Sequence, residues 1–218
     1  MNCPRCHLEI SPSADHCTSC GFDSHSLCQK LGDHWVRLDR LTDPANCLRL
    51  HDRRKLEARL DDFERRFPQV FFAVYIGVLP VGFSVSEVGF WLLNHAAFGT
   101  HDISKRNEFG IVLAIDPSAF TAAFTLGYAL ESVESSLQLS SLLSSISSSL
   151  KRGDFGKAVE ASIRTVDKRL RSVGTSRRKE MRLPASHAVS SDLGLVPLKS
   201  PARTALVERE PSSYRMDP

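Results

Sequence analysis

The chain opens on four cysteines in two tight pairs, "CPRC" at 3–6 and "CTSC" at 17–20, separated by ten residues. No other feature of the sequence restricts the fold so sharply. Each C-x-x-C puts two sulfurs on one turn, aimed at a common point. Two such knuckles face to face supply the tetrahedral all-sulfur shell that Zn2+ accepts at roughly 2.3 Å. Gly21, directly after Cys20, suits the left-handed backbone that ends a knuckle, and Pro4 stiffens the first one. The spacing therefore predicts a small ribbon over residues 1–24, with Cys3, Cys6, Cys17 and Cys20 holding a structural zinc.

Three other uses of the cysteines fit less well. Met1 runs into the knuckle with no basic or apolar leader, so the expected compartment is the reducing cytoplasm, where paired cysteines hold metal and not disulfides. The phrase "HLE" at 7–9 ahead of Cys17 and Cys20 shares elements with the H-x-E…P-C-x-x-C deaminase signature. Only seven residues separate Glu9 from Cys17, however, no proline directly precedes Cys17, and Cys3 and Cys6 would stand unused. Four thiolates also close the shell against a reactive water. Nucleic-acid binding by the ribbon needs cations, and between the outer cysteines only Arg5 supplies one, against Glu9 and Asp15. The stretch 3–22 resembles short zinc-ribbon knuckles, with His7 where that pattern usually carries glycine.

The remaining chain is long enough for one mid-sized domain: 218 residues in all, 42% hydrophobic, with a formal charge of only +3. So small an excess gives no strong nucleic-acid signal. The most apolar run, "VFFAVYIGVLPVGF" at 70–83, is too short to span a bilayer and is broken by Pro80 and two glycines. It reads as a buried strand leading into a turn.

Residues 25–40 read as a polar linker with one possible helical turn. Leu56, Leu60, Phe63 and Phe67 recur at helical spacing before Pro68, and "QVFFAVYIG" at 69–77 reads as a central strand. Ser84, three residues ahead of Glu87, sets a capping box for a helix running to Phe98. Two strands follow at 109–115 and 119–126 around the Asp116–Pro117–Ser118 turn. The serine-dense stretch after Glu131 still places Leu139, Leu142, Leu143, Ile146 and Leu150 at helical spacing, so the serines form the polar face of a helix. A last amphipathic helix carries Phe155, Val159, Ile163, Val166 and Leu170. Residues 173–218, including "SRRKEMR" at 176–182, read as a flexible tail.

The order of elements over 41–172 resembles the TPM domain family. The family's opening D-x-A-x-x-L is met by Asp43, Ala45 and Leu48, and its N-x-x-x-x-G by Asn94 and Gly99. Its hallmark G-Y-G-L-E-G is met by Gly127, Tyr128, Leu130 and Glu131, and its late G-D-Y/F by Gly153, Asp154 and Phe155. The resemblance implies an α/β fold, a central mixed sheet flanked by helices. Some family members are metal-dependent acid phosphatases, and others are assembly or auxiliary factors.

Several of the family's charged positions are exchanged here. The D-N-G turn becomes "EFG" at 108–110, the hallmark's later glycines become Ala129 and Ser132, and Ala123, Thr125 and Ser136 replace charged residues. What remains for a Ca2+ or Mg2+ site is Asp43, Glu108 and Glu131, with Arg106 nearby. Each also has an ordinary structural role: Asp43 in a turn, Glu108 as a solvated turn charge, Glu131 at a helix N-terminus. The expected function is a non-catalytic interaction or assembly module that docks an unidentified protein partner. The alternative is a phosphomonoesterase with a degenerate site built on those three carboxylates. Cys28 and Cys47 read as unpaired thiols.

Overall fold

β-Branched and aromatic residues at 71–76 form the centre of the molecule because the strands and helices around them bury both faces. The computed structural model describes residues 2–11, 14–99 and 107–180. Past the cysteines the elements are helix α1 (Ser24–Leu31), strands β1 (Val36–Asp39) and β2 (Leu41–Thr42), helix α2 (Leu50–Arg66), strand β3 (Phe71–Ile76) and helix α3 (Val85–His95). Strands β4 (Ala96–Gly99), β5 (Gly110–Asp116) and β6 (Thr121–Leu126) follow, then helices α4 (Glu134–Leu137), α5 (Leu139–Lys151) and α6 (Phe155–Glu180). Short 3-10 turns at Asn107–Phe109 and Tyr128–Val133 flank the β5–β6 pair.

The main sheet has the order β2-β3-β5-β6, with the first three strands parallel and β6 antiparallel. It is the mixed sheet flanked by helices that the family resemblance implies. Strand β5 is buried along its whole length and β3 along nearly all of its own, as parallel strands covered on both faces must be. On one face α2, α5 and α6 pack through Leu56, Leu60, Phe63, Ile146, Leu150 and Val166. On the other, α3 sets Val88, Leu92 and Leu93 against Phe71, Ala73 and Val112. The serine-dense stretch is helical, with Leu142, Ile146 and Leu150 buried and Leu143 half-buried. Its serines return hydroxyls to the helix's own carbonyls, as Ser144 does to Ser140 at 3.0 Å.

Several boundaries differ from the sequence reading, among them the strand expected at 109–115, which runs Gly110–Asp116. The stretch 25–40 holds most of helix α1 and all of strand β1. The helix expected to reach Phe98 ends at His95, and the next residues form β4, which pairs in parallel with β1. The strand expected from 119 begins at Thr121, because Phe120 takes a left-handed φ of 53° in the turn. Helix α6 runs through Gly174 to Glu180, over the first residues of the expected tail. The rest of that tail lies outside the described residues, as does Arg106. Among the described residues no helix is long and apolar enough to cross a membrane.

Candidate functional site

The four N-terminal sulfurs converge. Cys3 and Cys20 Sγ stand 3.6 Å apart, Cys6 and Cys17 Sγ likewise 3.6 Å, and all four lie within 4.8 Å of one another. A tetrahedral shell at roughly 2.3 Å requires sulfur–sulfur edges of about 3.8 Å, so the set fits a metal ion. The separations are far beyond a bonded pair, and all six cysteines are free thiols. Backbone hydrogen bonds close each knuckle: His7 N–H to Cys3 C=O at 2.9 Å, and Gly21 N–H to Cys17 C=O at 2.8 Å. Gly21 has the left-handed φ expected of it, 68°, and His7 takes 60° without glycine's freedom. N–H groups of Cys20 and Ser19 aimed at Cys17 lower its thiol to about 6, the direction a metal ligand needs. Burial pushes Cys20 up to about 12. A cation bound by the four sulfurs would hold them as thiolates.

The ribbon is latched to helix α3. The capping box forms as the sequence predicts: Ser84 Oγ accepts from the Glu87 N–H, while Glu87 Oε2 accepts from the Ser84 N–H and hydroxyl, each at 2.9 Å. The other oxygen, Oε1, accepts Nε and Nη2 of Arg5, at 2.8 and 2.7 Å. Glu87 is 3% exposed. Burial alone would raise its carboxyl, but the Ser84 amide, the Arg5 guanidinium and the Ser84 hydroxyl hold it below its ordinary value. The hydrogen bond to Glu87 raises Arg5 in turn. Around this pair Phe22 meets Phe90 edge to face, centroids 5.7 Å apart, and Phe83 and Trp91 pack against the cluster of Cys3, Ile10, Cys17, Phe22 and Leu27.

Docked this way, the ribbon becomes a wall. A cleft of about 500 Å³ lies between it and the main sheet. Asn2, Cys3, Pro4 and His7 line it from the ribbon, and Ser86, Phe90, Leu93 and Asn94 from α3. Phe124, Thr125 and Leu126 contribute the β6 edge, and Tyr128, Glu131, Glu134 and Leu139 the opposite wall, with Asn107 and Glu108 at one end. Gly127 pins that end together: a Cβ there would meet the Glu108 carbonyl oxygen at 2.2 Å, so only glycine fits. The close approach lets the Tyr128 hydroxyl donate to Glu108 Oε2.

The TPM domain model matches residues 41–169, more than half of the chain. The chain belongs to the TPM domain family. A solution NMR structure of the N-terminal domain of a protein from P. gingivalis is similar at 18% identity and a TM-score of 0.46, covering 62% of this chain and 83% of that one. None of the curated proteins matches.

Within this TPM domain the three carboxylates singled out from the sequence part company. Glu108 and Glu131 line the cleft, joined there by Glu134, which the sequence reading missed. Asp43 does not line it. Buried to 6% exposure, its carboxylate accepts the Cys47 and Leu48 N–H groups at 3.1 and 2.9 Å and faces Arg53 at 3.8 Å, organising the loop into α2. The register gives the separation. β2 pairs with Val74 and Tyr75, so Asp43 is level with Ile76 and Ile115, whereas Glu108 precedes Gly110 at the other end of β5. Five or six strand residues make that roughly 17–20 Å. Among the described residues only the four cysteines bring three or more ligand atoms together. Cys28 and Cys47 are half-buried, and burial raises both thiols.

Proposed function

We propose that this chain is a non-catalytic protein-interaction or assembly module of the cytoplasm, in which a structural zinc in the ribbon rigidifies one wall of a partner-binding cleft. The carrying observation is the docking of the ribbon on α3, where Arg5 reaches the buried Glu87 and Phe22 meets Phe90. Four thiolates of Cys3, Cys6, Cys17 and Cys20 would hold the zinc. Its contribution is a crosslink between two knuckles too small to own a core, since a closed shell offers no position for a substrate. A phosphoryl-transfer centre needs several carboxylates on one cation, with further charge for the transferring group. Asp43, committed to loop amides at the far end of the sheet, supports the non-catalytic reading.

A second reading, a phosphomonoesterase using Ca2+ or Mg2+, draws on Glu108, Glu131 and Glu134 lining one cleft. Co-purification separates the two. A partner that is retained by the tagged full chain, identified by mass spectrometry, and lost on Cys17→Ser meets the interaction reading. A partner indifferent to the ribbon's integrity contradicts it.

A further inference from the structure

The main sheet ends at β6, and among the described residues no strand pairs with its outer edge. Gly127 N–H donates to Gly110 C=O at 2.8 Å, which fixes the alternation along β6. Counting back by two, Thr125 and Ala123 turn their peptide groups toward β5. Ala122, Phe124 and Leu126 therefore turn theirs to the open side. Phe124 and Leu126 lie in the cleft. Natural edge strands are usually blunted by lysine, proline or a bulge. The β6 segment, "TAAFTL", carries no charge and no proline, and it pairs with β5 residue for residue without a bulge.

The walls differ in chemistry. Helix α3 lies on one face of the sheet and contributes Phe90 and Leu93. On the other side Leu139 is flanked by exposed Glu131 and Glu134. Among the described residues that line the cleft, none is Lys or Arg.

Resting on the interaction reading above, we infer that the cleft receives an extended segment of a partner protein, added as a strand to the outer edge of β6. Main-chain hydrogen bonds to Phe124 and Leu126 supply the register, and alternate side chains meet the two walls. The fitting segment alternates apolar residues, directed at Phe90 and Leu93, with Lys or Arg directed at Glu131 and Glu134.

The test titrates the full chain with a synthetic decapeptide of alternating Val and Lys, and with its Val/Glu counterpart, while amide hydrogen exchange is followed residue by residue. The expected result is saturable binding of the Lys peptide, weakened by added salt, with exchange slowed at Ala122, Phe124 and Leu126. Glu131→Gln with Glu134→Gln is expected to weaken it roughly two- to thirtyfold, the range for two exposed ion pairs. Ala122→Pro removes an outward N–H without a ladder bond and should abolish it. If that variant fails to fold, the glutamine pair on exposed residues still decides. Equal binding of the two peptides, unchanged exchange on β6, or self-association that neither peptide displaces would overturn the inference. A partner retained through the ribbon but insensitive to these β6 and glutamate variants sinks strand addition and leaves the interaction reading standing.

Discussion

The ribbon and the α/β domain are held by different physics. The domain buries a continuous core running from Leu41 and Phe72 through Ile111, Leu113 and Ile115 on β5 to Ile163 and Val166 on α6. Among the described residues the ribbon's own buried hydrophobics come down to Cys3, Ile10, Cys17 and Phe22, and even these lean on Phe83, Phe90 and Trp91 of the domain. One region folds because apolar area leaves water. The other has four sulfurs placed to share an ion and a helix to rest against. The dependence is therefore expected to run one way: the domain should survive loss of the ribbon, whereas the ribbon should need metal and α3 to keep its shape.

Removing the metal is the strongest way to break that comparison. A structural zinc in a small module contributes about 10–16 kcal/mol to folding, so chelation or Cys17→Ser should release one equivalent of zinc and unfold residues 1–24. The main sheet should persist, read by amide protection on β3 and β5. Loss of that protection together with the zinc would show that the two regions fold as one. The converse change is Ile146→Ala, where a side chain 2% exposed leaves a cavity under the sheet. It should cost about 2–5 kcal/mol of domain stability in denaturant unfolding, with zinc affinity unchanged. An effect within error would return the serine-dense stretch to a linker.

The latch sharpens the comparison with a smaller effect. Arg5→Met removes a charge-assisted pair whose guanidinium is half exposed, for about 1–2 kcal/mol of ribbon docking. The sign with pH follows from Glu87, whose carboxyl sits below its ordinary 4.5 when folded. A depressed acid stabilises above its unfolded pKa and loses that contribution as pH falls through the folded value. The gap between wild type and Arg5→Met should accordingly be full at neutral pH and close as pH falls through the lowered folded value, measured by exchange at the α3 N-terminus. A gap independent of pH would mean that Arg5 acts by packing alone.

How much was legible in the sequence divides along the same line. The ribbon is written in local spacing, so the convergence of its four cysteines and the left-handed turn at Gly21 can be read directly. The capping box at Ser84 and Glu87 and the Leu142–Ile146–Leu150 stripe are equally local. Strands β1 and β4 are not: each has four residues, largely exposed or half-buried, and each exists because of the other some sixty positions away. The cleft was hidden for the same reason. Arg5 stood out as the ribbon's only cation between the cysteines, yet nothing local pairs it with Glu87. Asp43 and Glu108 looked like members of one site because motif order says nothing about which end of a parallel sheet a residue occupies.

The central claim, a binding cleft and not a phosphatase centre, is tested most directly by turnover of a generic phosphomonoester by the full chain, with and without Ca2+ or Mg2+. An enzyme for this reaction must supply on the order of 20 kcal/mol of transition-state stabilisation. Most of that comes from fixed charges and donors around the phosphoryl oxygens. With Asp43 spent elsewhere and Ala123 and Thr125 on the strand beside the cleft, the account predicts no turnover above background. Metal-stimulated turnover that disappears in both Glu108→Gln and Glu131→Gln would contradict it.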